Sequence, residues 1–259
     1  MTALTMTLIG GPTMLIEAGG FRLVTDPTFD APREYRLSYV TLTKTSGPAL
    51  SADAIEPVDA VLISHDQHSD NLDYSGRAFA AKAPRVFTTV AGAARLGGAA
   101  EGLRPWDTKR LVAAGGAKLT ITATPARHGP AGIEAMSGDV IGFVLAFEHA
   151  SIPSIYITGD TVWYDGVAEV ARRFPVGVVV LFAGAAQTRG PFHLTMDTND
   201  AIETAHAFPA AVIVPVHHDG WAHLTQSSAD LEHAFGALGM RSRLQMLRPG
   251  VATPIDEAR

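Results

Sequence analysis

The sequence predicts an α/β protein, an αββα sandwich in which two mixed β-sheets pack face to face and helices cover the outer faces. Its first part is rich in short β-branched runs, and its later part alternates apolar strands with helical segments. Hydrophobic residues make up 47% of the chain and charged residues 18%, enough to fill a large core and too apolar for disorder. No Ser/Gly/Pro-rich tract divides the 259 residues, so one domain over 1–259 is expected.

Taken in order, Leu4 to Glu17 and Phe21 to Thr25 read as successive antiparallel strands, broken by Gly10-Gly11 and Gly19-Gly20. Asp26-Pro27 stops the last of them, and the stretch to about Pro57 reads as a long loop. Val58 to Ser64 is an apolar strand of the buried kind, followed by a helix from Leu72 to Ala83. A strand at Arg85–Thr89, a helix near Ala91–Gly97, and strands at Lys118–Ala123, Val140–Glu148 and Ser154–Thr158 come next. The second half alternates: helix Gly166–Phe174, strand Val176–Phe182, helix Thr198–Phe208, strand Ala211–Val216, helix Ser228–Leu238.

Charge and composition exclude several classes. A net charge of −6 and a pI near 5.9 supply no positive field for phosphate backbones, so nucleic acid is not an expected partner. With no cysteine, any metal site must be built from imidazole and carboxylate, and the chain suits a reducing cytoplasm. The N-terminus lacks the pattern of a signal peptide, and the apolar run Val176 to Ala186 is shorter than the roughly 18–20 residues of a transmembrane helix. A small-molecule substrate is the expected partner; self-association into a homo-oligomer is left open.

The ten histidines are not scattered. Four polar clusters each follow a strand: His65-Asp66-Gln67-His68-Ser69-Asp70-Asn71-Leu72-Asp73, Arg127-His128-Gly129, Gly159-Asp160-Thr161 and His217-His218-Asp219. Strand ends on the same side of a fold converge in space, so these side chains can meet. The first cluster packs imidazole and carboxylate so densely that it needs protons or cations to balance it. A polar loop with Asp70 or Asp73 capping the next helix is the plainer alternative.

These motifs, in this order, resemble the metallo-β-lactamase superfamily. The first is similar to its His-x-His-x-Asp-His signature followed by Leu-Asp, and the later clusters resemble its third-strand histidine, its bridging Asp and its final histidine. Ile9-Gly10-Gly11-Pro12-Thr13 and Thr25-Asp26-Pro27 further resemble the branch containing ascorbate-phosphate lactonase and N-acyl-phosphatidylethanolamine phospholipase D. The first motif departs from the pattern. Counted forward from Ser64 the two histidine positions fall on His65 and Gln67; counted back from Leu72-Asp73 they fall on Asp66 and His68. Glutamine is a poor zinc ligand, so His65 and His68 are preferred, with Asp66 a substitute or supporting group. Asn71 stands where the family has a further histidine, which weakens the second site.

The resemblance implies one or two divalent metal ions: zinc foremost, with manganese or iron also suited. His65, His68 and His128 would form the first site, Asp160 would bridge, and Asp70 with His217 would complete the second. It implies hydrolysis by a metal-activated water of an ester, lactone, amide or phosphodiester bond, with Asp70 also orienting or accepting a proton. His193, ahead of a helix, and His218, beside His217, are candidates for the substrate pocket; His223 is a weaker one. His149, His206 and His233 read as surface residues. The competing reading is a non-catalytic or single-metal binding protein that keeps the fold.

Overall fold

The computed structural model describes residues 4–37, 39–148 and 151–256. The chain opens with the expected meander: β1 (Thr5–Gly10), β2 (Thr13–Ala18) and β3 (Phe21–Thr25) pair antiparallel in sequence order. The stretch read as loop holds a hairpin, β4 (Arg33–Arg36) with β5 (Thr41–Lys44), and one helical turn, α1 (Ala52–Ile55). Four-residue strands carry little periodicity, and the hairpin's buried residues Tyr35 and Leu42 pack on Trp221, far away in sequence.

Next come β6 (Ala60–Leu62), α2 (Tyr74–Lys82), β7 (Val86–Thr89) and α3 (Val90–Leu96), as the pattern predicts. β8 (Ala100–Leu103) and β9 (Thr108–Val112) were not legible, because each forms a sheet edge where few residues are buried. The remainder runs β10 (Lys118–Pro125), α4 (Glu134–Ser137), β11 (Ile141–Phe147), β12 (Ser154–Ile157) and α5 (Asp165–Arg173). It closes with β13 (Val176–Phe182), α6 (Thr198–Ala207), β14 (Val212–Val216), α7 (Ser228–Ala237) and β15 (Thr253–Pro254).

Among the described residues one sheet has the order β15-β1-β2-β3-β6-β7-β8 and the other β14-β13-β12-β11-β10-β9. Side chains alternate across a strand, and in β13 that alternation separates two cores. Val178, Val180 and Phe182 join the apolar layer between the sheets, while Val179 and Leu181 face the opposite way and pack with α5, α6 and α7. The outer face of the first sheet is covered in the same manner: Val24 and Val61 pack with Ile55, Phe79 and Ala80 of α1 and α2. This is the αββα sandwich that the sequence predicts.

The pairing also sets where the chain's polar clusters lie. β10 and β12 are both antiparallel to β11, and β12, β13 and β14 are mutually parallel, so β10, β12, β13 and β14 all end on one side of their sheet. β6 of the other sheet ends there too: the Ile141 N–H, at the start of β11, donates to Ser64 O at 3.1 Å. Gly159 makes this approach possible. Its φ is +62°, and an added Cβ would stand 2.7 Å from Ile141 O and 2.9 Å from the Ser64 Cβ. No helix among the described residues is long and apolar enough to cross a membrane.

Candidate metal centre

Three imidazoles meet first. His65 Nε2 stands 2.8 Å from His68 Nδ1, and His128 Nε2 stands 3.2 Å from the same atom. Two of the rings are held in a defined tautomer. Ser64 Oγ donates to Asp26 Oδ1 at 2.8 Å, so its contact with His65 Nδ1 at 3.0 Å requires that nitrogen to donate. His128 Nδ1 donates to the Leu194 carbonyl at 2.7 Å. Both Nε2 lone pairs are therefore aimed at His68. Burial first, then the neighbouring imidazoles, hold His65 well below its ordinary pKa, and burial pushes His68 and His128 down to about 4. At neutral pH the three are uncharged donors of electron pairs.

The second group is Asp70, Asp160 and His217. His217 Nε2 lies 3.6 Å from Asp70 Oδ2 and 3.6 Å from Asp160 Oδ1. Asp160 turns its other oxygen to the first group, with Oδ2 3.6 Å from His128 Nε2. His217 follows β14 with φ +54°, a left-handed conformation that costs a non-glycine residue on the order of 1–3 kcal/mol and tends to persist at functional sites.

Charge balance separates the four aspartates of the first cluster and its partner. Asp66 is held by Arg95, and Asp73 caps α2 while paired with buried Lys44 at 2.9 Å. Asp70 and Asp160, both buried, have only imidazoles as partners among the described ion pairs. Burial and repulsion by Asp70 raise the pKa of Asp160 despite His217 and the Asn71 amide, which donates to Oδ1 at 3.2 Å. Burial would raise Asp70 as well, but His223 and His217 outweigh it and hold it well below the carboxylate range. Burial alone would lower His217, yet the two aspartates raise it. The group draws positive charge to its centre.

A divalent cation fits both groups. Asp70 Oδ1, Asn71 Oδ1 and both ring nitrogens of His217 are buried without a hydrogen-bond partner. Such orphaned atoms are costly unless something else satisfies them. In each group the donor atoms lie within 4.8 Å of one another, a spacing that ligands to one ion can adopt.

The other predicted residues separate cleanly. Asp66, engaged by Arg95, is turned away from both groups, which leaves His65 as the donor at the start of the motif. His193 is not brought in: its Nδ1 pairs with Asp197 Oδ2 at 3.0 Å, ahead of α6. His218 is buried with Nδ1 unpartnered, outside both groups. β14 ends at Val216, so His217 and His218 both lie beyond the strand. His206 and His233 are exposed, and His149 lies outside the described residues. His223, the weaker pocket candidate from sequence, joins the site: its Nε2 stands 2.8 Å from Asp70 Oδ2. The Asp26–Ser64 pair was not predicted; its signal is the Asp26-Pro27 break directly after a buried strand.

Fold and strand-end cluster together define a protein of the metallo-β-lactamase class. Residues 21–218 match the family described as "Beta-lactamase superfamily domain", and the chain belongs to it. Among curated relatives it is similar to "UPF0173 protein YddR" of Bacillus subtilis, 25% identical over 95% of this chain and 98% of that one. It is likewise similar to a "UPF0173 metal-dependent hydrolase" of Herpetosiphon aurantiacus, 25% identical over 97% and 98%. Among solved structures an isothiocyanate hydrolase from Delia radicum gut bacteria superposes with a TM-score of 0.84 at 23% identity, covering 98% of this chain and 100% of that one. A possible metal-dependent hydrolase from Veillonella parvula superposes with a TM-score of 0.82 at 22% identity and the same coverage.

Proposed function

We propose that His65, His68 and His128 hold one divalent cation, Asp70 and His217 a second, and that Asp160 bridges the two. The chain is a metal-dependent hydrolase, the description its curated relatives carry. The observation that carries the two-ion reading is Asp160, one oxygen of which faces each group at 3.6 Å from its nearest imidazole. Zinc is the metal we assign first; manganese and iron also suit a His/Asp set in which Asn71 replaces an imidazole.

Bound there, divalent cations acidify a water molecule and polarise a carbonyl or phosphoryl oxygen. The chain's own residues do the rest. Asp26, Ser64 and the Leu194 carbonyl keep His65 and His128 presenting Nε2. Asp70 stays ionised, with Oδ2 engaged by His223 and Oδ1 left to bind the second cation. Asp70, His68, His128 and His223 border one narrow cleft, through which a small molecule would reach the centre.

The bond cleaved is an ester, lactone, amide or phosphodiester, and the resemblance to the lactonase and phospholipase branch bears on that choice alone. A panel of these bonds, with an isothiocyanate added, tests the reading on protein loaded with zinc, manganese or iron. Turnover that disappears with chelation, and the joint loss of metal and turnover in Asp160→Ala, are expected. Undiminished turnover by chelated protein, or an Asp160→Ala variant that keeps both metal and activity, overturns it.

A further inference from the structure

The mouth of the cleft carries one group that the hydrolytic chemistry does not use. Arg189 lines it beside Thr188, and its guanidinium lies over the Tyr39 ring, 3.6 Å from the centroid. Stacking of this kind holds the planar fork in place without consuming its N–H donors. Among the described residues no carboxylate lies within ion-pair distance of Arg189. The hydrogen bond it makes, from Nη2 to Met136 O, is a long 3.4 Å. Arg77 and Arg95, by contrast, are spent on Asp66. Apolar side chains line the same cleft, Val40, Leu42 and Leu194 among them. Arg189 is close enough for its charge to act on His68.

A cation held over an aromatic ring, without a carboxylate partner, in the cleft that also holds the histidines and several apolar side chains is what a substrate with an anionic end requires. A guanidinium matches two oxygens of one group at once, which a neutral donor cannot do. We infer that Arg189 is the specificity-determining residue of this site and binds a carboxylate or phosphate of the substrate, joined by a short apolar spacer to the scissile bond. The inference rests on the hydrolase reading for its substrate but not for its binding site.

The test is therefore a binding measurement with stated probes. Glutarate, 4-phosphonobutyrate and pentanoate are titrated calorimetrically into metal-loaded and metal-stripped protein, for wild type, Arg189→Gln and Arg189→Lys. Metal-loaded wild type should bind at least one of the two probes that carry a second anionic group about tenfold or more tighter than pentanoate, whose single carboxylate is taken by the metal, the scale of one charge-assisted contact. Preference for glutarate identifies a carboxylate site, and preference for the phosphonate a phosphate site. Arg189→Gln should bring all three within about twofold, and Arg189→Lys should retain part of the preference. Equal affinities in wild type, or an Arg189→Gln protein that keeps the preference, overturn the inference. Failure of the hydrolase reading looks different: no turnover on any panel compound, with the binding preference intact.

Discussion

His223 and Asp70 stand 153 residues apart in the chain and 2.8 Å apart in the fold, Nε2 against Oδ2. The contact spends one carboxylate oxygen and leaves Oδ1 for the reacting centre. It also requires His223 to donate from Nε2, since an ionised carboxylate only accepts. His223→Ala should lower kcat about 10- to 100-fold, the range seen when a partner that orients a metal-site ligand is removed. Metal analysis on the same preparation completes the test: bound first-site metal should be retained. A variant with wild-type kcat would show that Asp70 needs no such support.

Ser64 links Asp26 to His65 and fixes which His65 nitrogen carries the proton. Ser64→Ala leaves Nδ1–H without its acceptor and lets the tautomers mix. Metal affinity at the first group should fall about 10- to 100-fold, measured by competition with a chromogenic chelator. Affinity within twofold of wild type would mean that packing alone holds the ring.

Lys44 is buried against Asp73 at 2.9 Å and also donates to Thr28 O at 3.0 Å. Asp73 in turn accepts from the N–H groups of Phe29, Asp30 and Gly76, so it ties three segments together. Lys44→Ala strands a buried carboxylate and should cost about 3–5 kcal/mol, read as a shift in the urea midpoint. Lys44→Met combined with Asp73→Asn should recover part of that loss, because no charge remains uncompensated.

Acid should unfold the protein partly through Asp30. Burial raises this carboxyl, but donors on Ser75 and Tyr35 and the charge of Arg33 hold it below its ordinary value of 3.8. A group depressed in the folded state stabilises above its unfolded pKa, about 3.9, and loses that contribution as pH falls through the folded value. Asp30→Asn should therefore flatten the loss of stability between about pH 5 and pH 3. An unchanged acid limb would assign that loss to other carboxylates.

Much of this centre was legible because its donors follow strands with an unambiguous signal. Val61-Leu62-Ile63, Val178-Val179-Val180 and Val212-Ile213-Val214 are apolar on both faces, as buried strands must be, and they announce where the chain reaches one side of the sandwich. His65 and His217 follow directly. What lay hidden depends on contacts that no local pattern encodes. His223 is placed by the packing of Trp221 against Tyr35 and Leu42, and β8 and β9 are edges with few buried residues. His193 looked like a pocket residue because it precedes α6, yet the four-residue spacing to Asp197 sets its Nδ1 against that carboxylate instead. Arg189 belongs to no motif, and its partner Tyr39 lies far from it in sequence.

Asp160 is proposed to join two cation sites, and metal stoichiometry tests that most directly. Protein reconstituted with zinc, freed of excess metal and analysed by inductively coupled plasma mass spectrometry should carry about two ions per chain. His217→Ala should carry about one. No bound metal in the reconstituted wild type, or two ions retained after His217→Ala, would contradict it.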